Sequence, residues 1–152
     1  MQEFPHRYYV STVTNGDYHI MSSTGLDDLR VAGPAEFDGP GDSWSPESLM
    51  TGAIGSCYIL TFRAVARASN LDWVDIRCVV ESVLDRVDKV TRFTEATLNV
   101  TLTIDDPGKR DHAERIIRKA KENCLVSNSL TTQIALVPEI VVQQMAEGAS
   151  MR

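Results

Sequence analysis

Three cysteines are the residues of this chain with the most chemistry in them: Cys57, Cys78 and Cys124. A cysteine acts as a nucleophile only as its thiolate, and that form needs a nearby cation, a helix N-terminus, or both. Cys57 directly follows Gly55 and Ser56, midway along an apolar stretch that reads as a helix. A helix dipole helps little there, so the cation must come from elsewhere. Glu47 stands ten residues upstream, about 15 Å along a straight helix, and a carboxylate would in any case raise the thiol pKa. Its sensible role is to hold an arginine that faces Cys57, with Arg7, Arg30 and Arg63 as the candidates. The residues alone do not choose among them. Cys78 sits in a strand-like run and reads as a small, buried or half-buried hydrophobe. Neither the cysteines nor His6, His19 and His112 show the spacing of a metal site.

The element that must carry Cys57 is Ser45 to Leu71, SPESLMTGAIGSCYILTFRAVARASNL. Ser45 suits the N-cap, Pro46 the first helical position, and Glu47 complements the dipole. Asn70 is a natural stop. A helix of some 24 residues would run about 36 Å. Between Ser48 and Val65 its only charge is Arg63, which reads as a buried helix. With Gly52, Gly55, Ser56, Thr61 and Arg63 inside the window, it is too mixed for a membrane span. Two glycines inside a helix each cost about 1 kcal/mol against alanine. They are explained by another backbone packing close, by room for a molecule to reach Cys57, or by both.

Around this helix the chain alternates strands and turns. Arg7 to Ser22 reads as a hairpin turning at Asn15-Gly16, and Leu26 to Val31 as a third short strand. Gly33 to Trp44 is a loop by composition. After the helix, Val74 to Val87 and Arg92 to Ile104 form a long hairpin joined near Asp88-Lys89. In its second strand Ala96, Leu98, Val100, Leu102 and Ile104 alternate with polar residues. A second helix, Asp111 to Asn123, turns Ala113, Ile116, Ile117 and Ala120 to the core and places Cys124 at its end. Ser127 to Leu130 forms a further turn. Leu136 to Gln143 closes as an edge strand containing Pro138, and Ala146 to Arg152 reads as a loose tail. The order β-β-β-α-β-β-α-β, with antiparallel hairpins, is α+β.

A chain of 152 residues suits one domain spanning 1–152, with 43% hydrophobic and 24% charged residues as in globular proteins. A net charge of −6 without any Lys/Arg cluster argues against nucleic acid as partner. The odd cysteine number fits a reducing compartment, and the first residues, MQEFPHRYYV, lack the pattern of a signal peptide; a cytoplasmic location is expected. One small domain cannot cover so apolar a helix on every side, so an intimate homodimer is expected.

Three segments together resemble the OsmC/Ohr family, the osmotically inducible and organic hydroperoxide resistance proteins. They are Ser45-Pro46-Glu47-Ser48-Leu49, Gly55-Ser56-Cys57, and Glu122-Asn123-Cys124-Leu125-Val126-Ser127-Asn128. The resemblance implies an intertwined α+β homodimer, with antiparallel sheets around a long buried central helix and a second helix, and sites at the interface. It implies that Cys57 is the peroxidatic thiolate and Cys124 the resolving thiol, with Glu47 and an arginine, nearest Arg30 and then Arg7, in support. The two cysteines would approach closely enough to bridge, Cys124 would be free to move, and Cys78 would stand apart. Substrate would be an organic hydroperoxide, reductant a thiol or dihydrolipoamide-type dithiol, and neither metal nor bound cofactor would be needed. The alternative within the family is a non-peroxidase dimer binding a small hydrophobic ligand in the interfacial pocket. A dimer with three inert cysteines is the remaining reading. Leu125 stands where the family's second motif carries proline, and the family's N-terminal arginine has no direct counterpart.

Overall fold

The computed structural model describes residues 3–143. The tail expected from Ala146 onward lies outside them. The chain divides after Met50 into two compact units.

The first unit is a three-stranded antiparallel sheet in the order β1-β2-β3, formed by Ser11–Asn15, Tyr18–Ser22 and Leu29–Ala32. Asn15 pairs with Tyr18, so the two-residue turn is Gly16-Asp17, one position later than the Asn-Gly motif suggests. Gly16 takes the positive φ of 64° there, which a glycine adopts at no steric cost. From β3 the chain passes a 3-10 turn at Ala35–Phe37 and returns to bridge Val31 with Trp44. The Ala32 amide donates to the Trp44 carbonyl at 2.9 Å.

Helix α1, Pro46–Ala68, begins at the end of this unit. Its start is the capping arrangement that Ser45 foretold. The Ser48 amide donates to Ser45 Oγ at 3.2 Å, and the Ser45 amide donates to Ser48 Oγ at 2.8 Å. Its end is equally well defined. Asn70 adopts φ 51°, its amide donates to the Arg67 carbonyl at 3.3 Å, and the Leu71 amide donates to the Ala66 carbonyl at 2.9 Å. These are the paired bonds of a Schellman motif with asparagine in the left-handed position.

The second unit is a mixed sheet in the order β4-β5-β6, formed by Asp75–Val87, Val90–Ile104 and Gln133–Val142. Strands β4 and β5 are antiparallel through a tight turn at Asp88 and Lys89, both at positive φ. Strand β6 pairs parallel with β5. The reason is the crossover helix α2, Arg110–Glu122, which returns the chain to the starting end of β5. Pro138 lies in mid-strand opposite Val100. At the sheet edge its missing N–H breaks no second ladder.

Alternation along β5 buries Ala96, Leu98, Val100, Leu102 and Ile104. Onto that face pack Ile54, Tyr58, Phe62 and Ala66 of α1, together with Ala113, Ile116, Ile117 and Ala120 of α2. Tyr58 is anchored by its hydroxyl, which donates to the Ile117 carbonyl at 3.2 Å. Phe62 meets Trp73 edge-on, with ring centroids 5.5 Å apart. In the single chain α1 is buried on this face only; Gly52, Ala53, Ser56, Leu60 and Ala64 are exposed, and Leu60 keeps 59% of its surface. By length and composition alone α1 could cross a membrane, yet its buried face belongs to the core just described.

Candidate active site

Cys57 leaves α1 beside the face that packs on the sheet, and it is half-buried. After α2 ends at Asn123, a single turn of helix, α3 (Leu125–Asn128), starts with Cys124 as its N-cap. That turn sets Cys124 into the core, with 0% exposure, and brings the two thiols together. The Cys57 thiol shares a hydrogen bond with Cys124, and the backbone amide of Val126 donates to the Cys57 sulfur. The Thr61 hydroxyl, one helical turn on, donates to the Cys57 carbonyl at 2.8 Å and also lies against the sulfur.

These neighbours pull the Cys57 pKa in opposite directions. Burial raises it most, and the Cys124 thiol raises it further, by its hydrogen bond and by its charge when ionised. The Val126 amide and Thr61 lower it, because each stabilises the thiolate. The net direction is upward, so in the single chain Cys57 is a protonated thiol at neutral pH.

Cys78, on β4, is less remote than the sequence suggested. It packs against the same core, and burial with the neighbouring Cys124 pushes its thiol up to about 11. Its reading as a half-buried hydrophobe agrees with this placement. Tyr58 is raised as well, by burial and then by Cys78 and Cys124.

Cys124 is also more firmly held than a mobile resolving thiol would be. Its amide donates to the Lys121 carbonyl at 3.4 Å, and its carbonyl accepts the Asn128 amide at 2.9 Å. The Asn128 side chain clips α3 to the Glu122 carbonyl at 2.9 Å.

Glu47 and Arg30 belong to the first unit. Glu47 lies in the opening turn of α1, and its Oε2 is buried without a hydrogen-bond partner among the described residues. Arg30 is occupied locally: its guanidinium lies 4.6 Å from the Tyr18 ring centroid and 3.6 Å from Asp42 Oδ2. The Tyr18 hydroxyl donates to the same carboxylate at 3.1 Å. Arg7 and Arg63 are both exposed. Among the described residues no group of three or more His, Cys, Asp or Glu could hold a metal ion.

Sequence reasoning missed the Val126 amide and Thr61. A backbone donor carries no residue signature, and only the two-residue offset from Cys124 hinted at it. Thr61 was findable by its four-residue helical spacing from Cys57.

Residues 39–139 match the model of the OsmC-like protein family. The chain belongs to that family. Among its relatives, the uncharacterized protein YmaD of Bacillus subtilis is 22% identical over 143 residues, covering 91% of this chain and 95% of its own. An OsmC-like protein of unknown function from Vibrio cholerae shares the fold with a TM-score of 0.80 at 17% identity, over 90% of this chain and all of that one. An organic hydroperoxide resistance protein OsmC from Legionella pneumophila aligns with a TM-score of 0.74 at 22% identity, over 92% and 100% of the two chains. The OsmC-like fold thus accounts for the α+β architecture and for both helices that carry Cys57 and Cys124.

Proposed function

We propose that this protein is a thiol peroxidase that reduces organic hydroperoxides to alcohols, and that it works as a homodimer in the cytoplasm. The observation that carries the reading is the pairing of a half-buried Cys57 thiol with Cys124, beside a backbone amide aimed at the Cys57 sulfur. Cys57 thiolate attacks the peroxide oxygen, releasing the alcohol and leaving a sulfenic acid. The Cys124 sulfur then displaces hydroxide from Cys57, forming the Cys57–Cys124 disulfide and water. An external thiol or a dihydrolipoamide-type dithiol supplies the two electrons that restore both thiols. Family members named for organic hydroperoxide resistance support the substrate class. The uncovered apolar face of α1 supports the dimer. The orphaned Glu47 oxygen supports a cation arriving beside it, with Arg30 the first candidate and a role in holding Cys57 as the thiolate.

One observation favours a second reading. The raised Cys57 pKa suits a dimer that binds a small hydrophobic molecule and does no peroxide chemistry. Single-turnover peroxide loss, read beside the intact mass, separates the two. Cys57→Ser is expected to abolish consumption of an organic hydroperoxide. Cys124→Ser is expected to permit one oxidation and then to over-oxidise at Cys57. Equal activity in wild type and Cys57→Ser would sink the peroxidase and promote the binding protein.

A further inference from the structure

We propose that the reducing thiol attacks the Cys57 sulfur of the Cys57–Cys124 disulfide, so that the mixed disulfide of the cycle forms on Cys57 and never on Cys124. This rests on the disulfide of the proposed function, but not on peroxide being the oxidant that makes it.

Thiol–disulfide exchange requires the incoming thiolate to reach one sulfur in line with the bond it breaks, so access selects the site of attack. The two sulfurs differ sharply in access. Cys124 has no exposed surface and packs into the same core as Ile54, Tyr58 and Leu98. Its backbone is tied on both sides, to Lys121 and to Asn128, and exposing its sulfur would mean breaking these bonds. Cys57 is half-buried rather than sealed, and in the proposed cycle a hydroperoxide must reach it whatever covers the outer face of α1. Any path by which a hydroperoxide reaches Cys57 also serves a thiol.

One effect opposes this. The Val126 amide stabilises a Cys57 thiolate, which makes Cys57 the better leaving group and would favour attack on Cys124. A leaving-group advantage scales a rate that already exists, whereas a sulfur with no line of approach has none to scale. Access wins.

The step balances without further reagents. An external thiolate RS⁻ bonds to the Cys57 sulfur, the Cys57–Cys124 bond breaks, and the electron pair leaves on Cys124, which takes up a proton. A second thiolate attacks the R-bearing sulfur, giving RSSR and releasing Cys57. Cys124, returning to the Cys57 sulfur, reverses the first step.

The test uses the full chain in a Cys78→Ala background, which removes the third thiol. Diamide oxidises the protein, taking two electrons and two protons and bypassing hydroperoxide. Excess 2-mercaptoethanol is added, samples are quenched in acid, and the mercaptoethanol adduct is located by peptide mass mapping. The expected result is an adduct on Cys57 exceeding that on Cys124 by about tenfold or more. Adduct mainly or equally on Cys124 overturns the proposal, as does failure of diamide to join Cys57 to Cys124. Should re-attack by Cys124 outrun the quench, an aromatic disulfide decides between the single variants. Cys124→Ser, which keeps Cys57, should then react about tenfold or more faster than Cys57→Ser, and equal rates overturn the proposal. Loss of peroxide consumption alone would leave these outcomes untouched, so the two failures are separable.

Discussion

Gly55 of α1 lies directly against β4, and replacing it with alanine sets two known effects against each other. A Cβ built there meets Val80 Cγ2 at 2.9 Å and Cys78 Sγ at 3.9 Å. The first distance is one that real side chains essentially never adopt, so the helix, Val80 or β4 must shift; the second is ordinary contact. Forcing a methyl group into a packed region costs about 1–3 kcal/mol. Against this, alanine gains about 1 kcal/mol over glycine in a helix interior. The balance is a loss of about 1 kcal/mol, because Val80 is β-branched and cannot swing its methyl aside through a long flexible stem. In urea, with a slope of about 1–3 kcal/mol/M, the midpoint should fall by about 0.3–1 M at fixed protein concentration. Val80→Ala alone leaves a gap and is also destabilising. Combined with Gly55→Ala, the added methyl fills that gap, so the pair should be coupled by about 0.5–3 kcal/mol in the favourable direction. Gly55→Ala more stable than wild type by the full helix-propensity gain would refute the close approach. So would a double mutant whose loss is the plain sum of the two single losses.

Two further outcomes follow from the same geometry. Because burial and Cys124 hold Cys57 protonated, its alkylation by iodoacetamide should rise about tenfold per pH unit from pH 7 toward its raised pKa; Cys78, pushed up to about 11, should lag behind it throughout. A rate already flat above neutral pH would instead mean that a cation has lowered the Cys57 pKa. Leu60→Asp places a charge on the exposed face of α1 and should leave the fold intact while dissociating the proposed homodimer, with sedimentation at micromolar concentration shifting from a dimer in the wild type to the 16.8 kDa chain. A variant that still sediments as a dimer would place the contact elsewhere, and a wild type that sediments at 16.8 kDa would remove the dimer.

How much of this was legible beforehand depends on how local each determinant is. Ser45, Pro46 and Asn70 mark the ends of α1 because caps are made by the residues at the ends themselves. The alternating run from Ala96 to Ile104 marks the buried face of β5 for the same reason. The parallel pairing of β6 was not legible. It depends on where α2 delivers the chain, and no residue in Gln133–Val142 records which way its neighbour runs. That one chain leaves part of α1 uncovered was legible, but which side it covers was not. Apolar composition says that a helix must be covered, and it does not say that a single chain covers only the side bearing Ile54, Tyr58, Phe62 and Ala66.

The candidate site divides along the same line. That Cys57 and Cys124 meet was implied by the family resemblance, and what joins them is a single helical turn that no periodicity announces. The ionisation of Cys57 is where local reasoning stops. The donors beside it, the Val126 amide and Thr61, act against a larger desolvation, and together they do not reverse it. On the proposed mechanism, a thiol in that balance needs one positive charge beside it. Glu47 offers a buried, unpartnered oxygen suited to fixing an arginine, while Arg30 is held by Asp42 and the Tyr18 ring. Asp42 and Tyr18 are exposed or half-buried, and ion pairs at such positions are worth about 0–1 kcal/mol. The buried Glu47 oxygen has no other partner to satisfy it among the described residues, whereas Asp42 already accepts from the Tyr18 and Ser43 hydroxyls. The proposed role of Arg30 therefore requires it to leave Asp42 for Glu47, a competition between two carboxylates.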